Sequence, residues 1–177
     1  LEDTEVVLAS AGLAEETLLF TNRGNSLFVH RMSSSFDIHT CLELEDDWSG
    51  DIAVNAHQGV VTVVWSRQYL DDNGFTRQTV SYTTIDRTCQ MTPKQDLMPG
   101  LLTSQGTYWG FDLDQYGDRV IIAGYHRDLF TGGSYSDITG VFLLWTDSPL
   151  SAVEWSLTNN VLLNLDILPY DAPALQV

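Results

Sequence analysis

The sequence predicts an all-β chain built from repeated small antiparallel sheets, and three observations carry that prediction. Apolar runs of strand type recur along the chain: residues 60–65, 119–124 and 140–145, each next to glycine, and 161–167. Apolar spacing of the helical kind persists for three turns nowhere. The best helical window, residues 9–16, is short and contains Gly12. Finally, one hairpin pattern occurs three times.

The three copies are residues 18–29, 52–63 and 111–122, at offsets of about 34 and about 59 residues. Each opens with an apolar-x-apolar pair: Leu18/Phe20, Ile52/Val54 and Phe111/Leu113. A polar turn containing glycine follows. Each then closes with a second pair: Leu27/Val29, Val61/Val63 and Val120/Ile122. Such a segment is a hairpin with one apolar face, whose glycine supplies the left-handed turn position.

Further strands are expected after each hairpin. Polar loops at residues 33–35, 68–76 and 128–137 lead to third strands at 36–40, 78–85 and 140–145. Short fourth strands are expected at 41–44, 89–92 and 153–157. Four strands per repeat at this spacing is the arithmetic of a β-propeller blade, in which stacking buries both faces of each sheet. The reading places blades at 17–47, 50–98 and 108–158. Residues 1–16 end a preceding blade or form a linker, and 159–177 begin the next blade or supply a closing strand. Some three blades and the start of a fourth fall short of a ring. The chain is therefore expected to belong to a larger propeller, with further blades from the same or another chain; a β-sandwich with similar hairpins is the alternative.

Composition narrows the function. The 177 residues carry 24 acidic and 8 basic side chains, for a net charge of −16, yet 44% are hydrophobic. That is enough apolar material for a core. Nucleic-acid binding needs clustered cations, whereas here Lys94 is the single lysine and the seven arginines are scattered. The charge equally disfavours an anionic membrane surface, and no apolar stretch is long enough to insert as a helix. The first residue is Leu1, with no basic and apolar leader after it, which suggests a mature form or a fragment. An acidic, aromatic-rich β protein of this kind suits a secreted or cell-surface setting.

The third copy, residues 112–124 followed by the glycine-led strand at 140–143, resembles an FG-GAP repeat of integrin-α-like propellers. The second, residues 51–67, resembles a sialidase-type blade. Asp72, Gly74 and Thr76 keep the centre of that family's Asp box, while Leu70 and Arg77 replace its serine and tryptophan. Each resemblance covers about 35 residues and implies an architecture rather than an activity.

Several residues invite chemistry. Calcium is the cofactor to consider for an acidic propeller, and Asp112, Asp114 and Asp118 are the nearest to a ligand set. They lack the alternating Asp/Asn loop, so solvated turn carboxylates are the expected reading, with no metal assigned. Glu43, Glu45, Asp46, Asp47 and Asp112 could supply glycosidase carboxylates, with Arg67, Arg77 and Arg127 and the phenols Tyr69 and Tyr125 nearby. The run 43–47 reads more simply as a solvated charge run, so no catalytic residue is assigned. His30, His39, His57 and His126 show no ligand spacing, and His57 is expected to be an exposed turn residue. Cys41 and Cys89 are expected to be buried free thiols, with a bridge between neighbouring outer strands as the alternative.

Trp65, Trp145 and Trp155 lie in strands and suit blade packing. Trp48 and Trp109 precede inner strands, where propeller loops gather. Together with Tyr69, Asp71, Asp72 and Asn73 they are the ligand-binding candidates. The expected function is non-catalytic binding or adhesion, directed at a protein or glycan through loops on one face. A sialidase-like glycoside hydrolase segment and a structural subunit of a surface assembly are the alternatives.

Overall fold

A computed structural model of the chain describes residues 4–70, 72–74, 76–96, 101–102, 108–116, 119–129, 135–146 and 156–159. It is all-β, with no helix among the described residues. The chain divides into two compact units: Leu1–Gln68 with Thr79–Pro99, and Tyr69–Gln78 with Gly100–Val177.

The first unit holds a sheet of β1 (Val6–Leu13), β2 (Glu16–Arg23), β3 (Ser26–Ser33) and β4 (Ile38–Glu45), paired antiparallel in sequence order. Its inward face is written in the register. Ala9 lies opposite Phe20, Phe20 opposite Val29, and Val29 opposite Leu42. These cross-strand rows are what fixes the pairing of half-buried strands.

Most of a second sheet belongs to the same unit: β5 (Trp48–His57), β6 (Val60–Leu70), β7 (Thr76–Asp86) and β8 (Gln95–Asp96). Its rows are Ile52 opposite Trp65, Val54 opposite Val63 and Ala56 opposite Val61. The two apolar faces meet in one core of Ala11, Leu18, Phe20, Val29, Val63 and Trp65, among others. First strand lies beside first strand, since β1 packs along β5. Residues 61–66 of β6 and 79–85 of β7 are buried without a break.

In the second unit, β10 (Tyr108–Tyr116), β11 (Arg119–Leu129), β12 (Tyr135–Thr146) and β13 (Ser156–Asn159) form another antiparallel sheet in sequence order. Gly124 stands opposite both Phe111 and Phe142. Leu113, Val120 and Ile122 are buried. The two-residue β9 (Leu101–Leu102) pairs with Arg77 and Gln78 of β7.

The three expected hairpins all form, but in different places. Residues 52–63 and 111–122 lie on the first two strands of their sheets, whereas 18–29 lies on the second and third. The first sheet begins one strand earlier, at Val6, so the helical window at 9–16 is strand and turn. The expected strands 36–40 and 41–44 are one strand, β4. In place of a strand at 89–92 there is a single bridge from Met91 to Ile85, with β8 following.

Cys41 and Cys89 are bonded, contrary to the expectation of free thiols. Cys41 lies in β4 and Cys89 in the connection after β7, with Cα atoms 5.7 Å apart. The bridge thus ties the outer part of one sheet to the outer part of its neighbour. It encloses a loop with a sequence separation of 48 residues. Chain entropy assigns such a closure about 4 kcal/mol. The Cys41→Ser/Cys89→Ser double variant should lose about that much in a urea titration, and the native protein should take up alkylating reagent only after reduction.

A second tie is ionic. Glu45 is 4% exposed, although its neighbours Glu43, Asp46 and Asp47 are exposed as a charge run should be. Its carboxylate accepts a hydrogen bond from Trp65 Nε1 (3.2 Å) and lies 3.6 Å from Lys94 Nζ and 3.8 Å from Arg67 Nε. Arg67 also grips Asp96 through Nη2 (2.9 Å) and Nε (3.3 Å), while Ser81 donates to the same carboxylate (2.8 Å). Lys94 caps the carbonyl of Leu44 (2.8 Å). Glu45→Ala would strand the buried Trp65 N–H, while Arg67 keeps Asp96 and Lys94 keeps the Leu44 carbonyl. It should cost about 2 kcal/mol in chemical denaturation.

Candidate functional site

Of the residues proposed for ligand binding, Trp48 opens β5 and packs against the core of the first unit, and its indole Nε1 is buried with no hydrogen-bond partner. The strand bulges there: register runs from Trp48–Arg67 directly to Ile52–Trp65. Gly50 takes φ 108° in the bulge, Ser66 Oγ donates to the Ser49 carbonyl, and Asp51 N donates to Ser66 Oγ (3.0 Å). This is packing chemistry, and it removes Trp48 from the open platform that ligand stacking needs.

Tyr69 lies near the end of β6 and is half-buried, while Asp72 and Asn73 are exposed in the turn that follows. Asp71 lies outside the described residues. Trp109 sits in β10 opposite His126 of β11. Asp112 and Asp114 also sit on β10, where each accepts a hydrogen bond from the next backbone N–H (2.8 and 2.7 Å). Asp118 lies outside the described residues, as does Trp155. No group of three or more metal-ligating side chains occurs among the described residues.

The hydrolase candidates do not assemble into a site in the first unit. Of the candidate carboxylates, Glu45 is engaged by Arg67, which also holds Asp96. Arg67 is therefore a strand residue in an ion pair rather than a loop arginine. Arg77 belongs to β7, and Tyr125 and Arg127 to β11.

The histidines also differ from expectation. His57, at the end of β5, is half-buried rather than exposed, and its Nε2 is buried without a partner. His30 is 2% exposed, on the face of the first sheet opposite the core. Hydrogen bonds join its Nε2 to Thr21 Oγ1 (2.9 Å) and its Nδ1 to Thr40 Oγ1 (3.1 Å), and the Glu5 carboxylate lies 3.6 Å from Nε2. Burial holds the imidazole below its usual pKa, and Glu5 only partly opposes the shift. On that same face, the Arg23 guanidinium sits 4.8 Å over the Phe28 ring. In the second sheet, burial raises the Tyr82 phenol far above its ordinary range.

A feature the sequence did not reveal lies at one end of the first unit. Hydrogen-bonded pairing brings the β1–β2 and β3–β4 turns to the same end of their sheet, with Glu16 opposite Ser33. The β5–β6 and β7–β8 connections share that end, because Trp48 N donates to the Asn25 carbonyl (2.8 Å) at the other. Each of these four connections contains a non-glycine residue with left-handed backbone: Ala14 (φ 51°), Phe36 (φ 64°), Gln58 (φ 50°) and Cys89 (φ 63°). They are all such residues among the described ones. Each placement costs about 1 kcal/mol or more relative to glycine. Strain of this sort concentrates where a surface is held in a required shape.

Two of the strained turns are pinned by side chains. Around Phe36, Ser33 Oγ and Ser35 Oγ are hydrogen-bonded (2.8 Å), and Ser35 Oγ donates to Asp37 (2.6 Å). The result holds a phenylalanine 77% exposed to solvent. Before Cys89, one oxygen of Asp86 accepts from Thr88 N (2.8 Å), Thr88 Oγ1 (2.7 Å) and Gln90 N (2.9 Å). These bonds, led by the Thr88 hydroxyl, hold Asp86 below the usual carboxylate range.

Between the first and last of these turns lies a cleft of about 510 Å³. Leu13, Ala14, Glu15, Glu16 and Arg31 line it from the first sheet, and Arg87 and Thr88 line it from the β7–β8 connection. Glu16 is 3.7 Å from Arg31.

No family model, curated protein or solved structure matches this chain.

The pKa direction of His30 gives a test of its environment. Its folded-state value lies below the unfolded one, so the unfolded chain binds the extra proton first. Stability is full above the unfolded value and falls as pH drops from there toward the folded value. His30→Gln should flatten the stability-against-pH curve just below about pH 6.5, measured by thermal unfolding.

Proposed function

We propose that this chain is a segment of an extracytoplasmic β-propeller that binds a protein or glycan and does not catalyse. The observation that carries the reading is the stacking within the first unit. A four-stranded sheet packs face to face with the β5–β8 part of a five-stranded one, with β1 beside β5 and a disulfide from β4 to the β7–β8 connection.

The disulfide supports an oxidising compartment, hence a secreted or surface location. Binding is supported by a rigid scaffold that holds strained, exposed turns on one end. Non-catalysis is supported by the pairing of the buried carboxylate Glu45 with Arg67 and Lys94, and of the exposed Asp96 with Arg67. The net charge of −16 favours a ligand with cationic groups around its contact surface.

The test is a glycan and protein array probed with the purified disulfide-intact chain, run beside an assay on chromogenic aryl glycosides. Saturable binding without turnover is expected, weakened at least fivefold by Phe36→Gly. Turnover that disappears in Asp96→Asn would replace this reading with a hydrolase.

A further inference from the structure

The cleft at the strained end of the first unit has opposite charges on its two walls. Glu15 stands on the β1–β2 turn and Arg87 on the β7–β8 connection, and both line the same space. Neither has a salt-bridge partner among the described residues. Glu16 and Arg31, in contrast, are already paired with each other on the first wall. Arg87 lies close enough to Asp86 to help lower its pKa, but that carboxylate oxygen already accepts three hydrogen bonds from Thr88 and Gln90.

Both walls are held in place. The residue before Glu15 is Ala14, in left-handed backbone, and the second residue after Arg87 is Cys89, likewise left-handed and bonded to β4. The two charges therefore sit on fixed backbone supports on opposite walls of the cleft, and no ion pair joins them. The volume, about 510 Å³, is of the size that holds small molecules.

We infer that this cleft binds a small zwitterion of the amino-acid or short-peptide type, its ammonium group on Glu15 and its carboxylate on Arg87. A guanidinium takes a carboxylate through two parallel N–H donors, which fixes the ligand's orientation. The ammonium group then faces the first wall, where Arg31 offsets Glu16 and Glu15 supplies the open negative charge. An uncharged sugar would leave both walls unsatisfied, and a simple anion would leave Glu15 facing it. The inference goes beyond the recognition of a larger protein or glycan. It rests on the first unit alone and stands apart from the propeller reading.

The probe is trialanine, titrated into the isotope-labelled 177-residue chain with the disulfide intact and followed by amide chemical shifts. Saturable shifts are expected at residues 13–16, 31 and 87–88. N-acetyl-trialanine and trialanine amide should each bind at least tenfold more weakly. Glu15→Gln and Arg87→Gln, both on exposed turns, should each weaken trialanine at least tenfold while leaving the rest of the spectrum unchanged. No saturable shift at tens of millimolar trialanine overturns the inference. So does equal binding of the capped peptides, or undiminished binding by the two variants.

Discussion

Everything in the first unit depends on the burial of one sheet face against another. Neither the Phe20–Val29–Leu42 row nor the Val54–Val63 row could stay out of water alone. Once the two are pressed together, the charges around their margin must be resolved, and the Glu45–Arg67–Asp96 group with Lys94 does this. Trp65 joins the two problems. Its ring fills the core while its N–H satisfies the carboxylate that crosses from the first sheet. Packing and polar satisfaction thus specify the same sheet-to-sheet register.

The two ends of this stack are built differently. At one end the connection between β2 and β3 uses Gly24 in left-handed backbone, and Gly50 opens the bulge of β5. At the other, alanine, phenylalanine, glutamine and cysteine occupy such conformations, with Gly59 beside the glutamine. A chain under selection for stability alone would place glycine or asparagine there. The cost is accepted where side chains are displayed: an exposed aromatic ring on one turn, and charged groups on two others. Function is therefore better sought at this end than around Trp48, whose ring serves the core.

Much of the fold was legible in the sequence, and the reason is local. β-branched runs bounded by glycine mark β6 and β11, and the apolar pairs mark all three hairpins. The phase of the first sheet was not legible. β1 reads Val-Val-Leu-Ala-Ser-Ala-Gly-Leu, with small residues at its centre, and its turn is Ala14-Glu15 rather than a glycine pair. Misplacing that strand also left the cysteines as expected free thiols, although Cys41 of β4 and Cys89 after β7 are bonded. Glu45 was hidden within an acidic run, because composition counts carboxylates without saying which one turns inward. The cleft left no sequence signal: Glu15 and Arg87 meet only through the stacking of two sheets.

The covalent bridge carries one more consequence. The exposed turn at Asp72–Gly74 falls inside the segment that Cys41 and Cys89 enclose. A protease acting on that turn would cut the backbone yet release nothing, because the two pieces would remain joined through sulfur. Such a nicked molecule would travel as one body in oxidising surroundings and come apart only on meeting a reductant, so the same break is silent outside the cell and decisive within it.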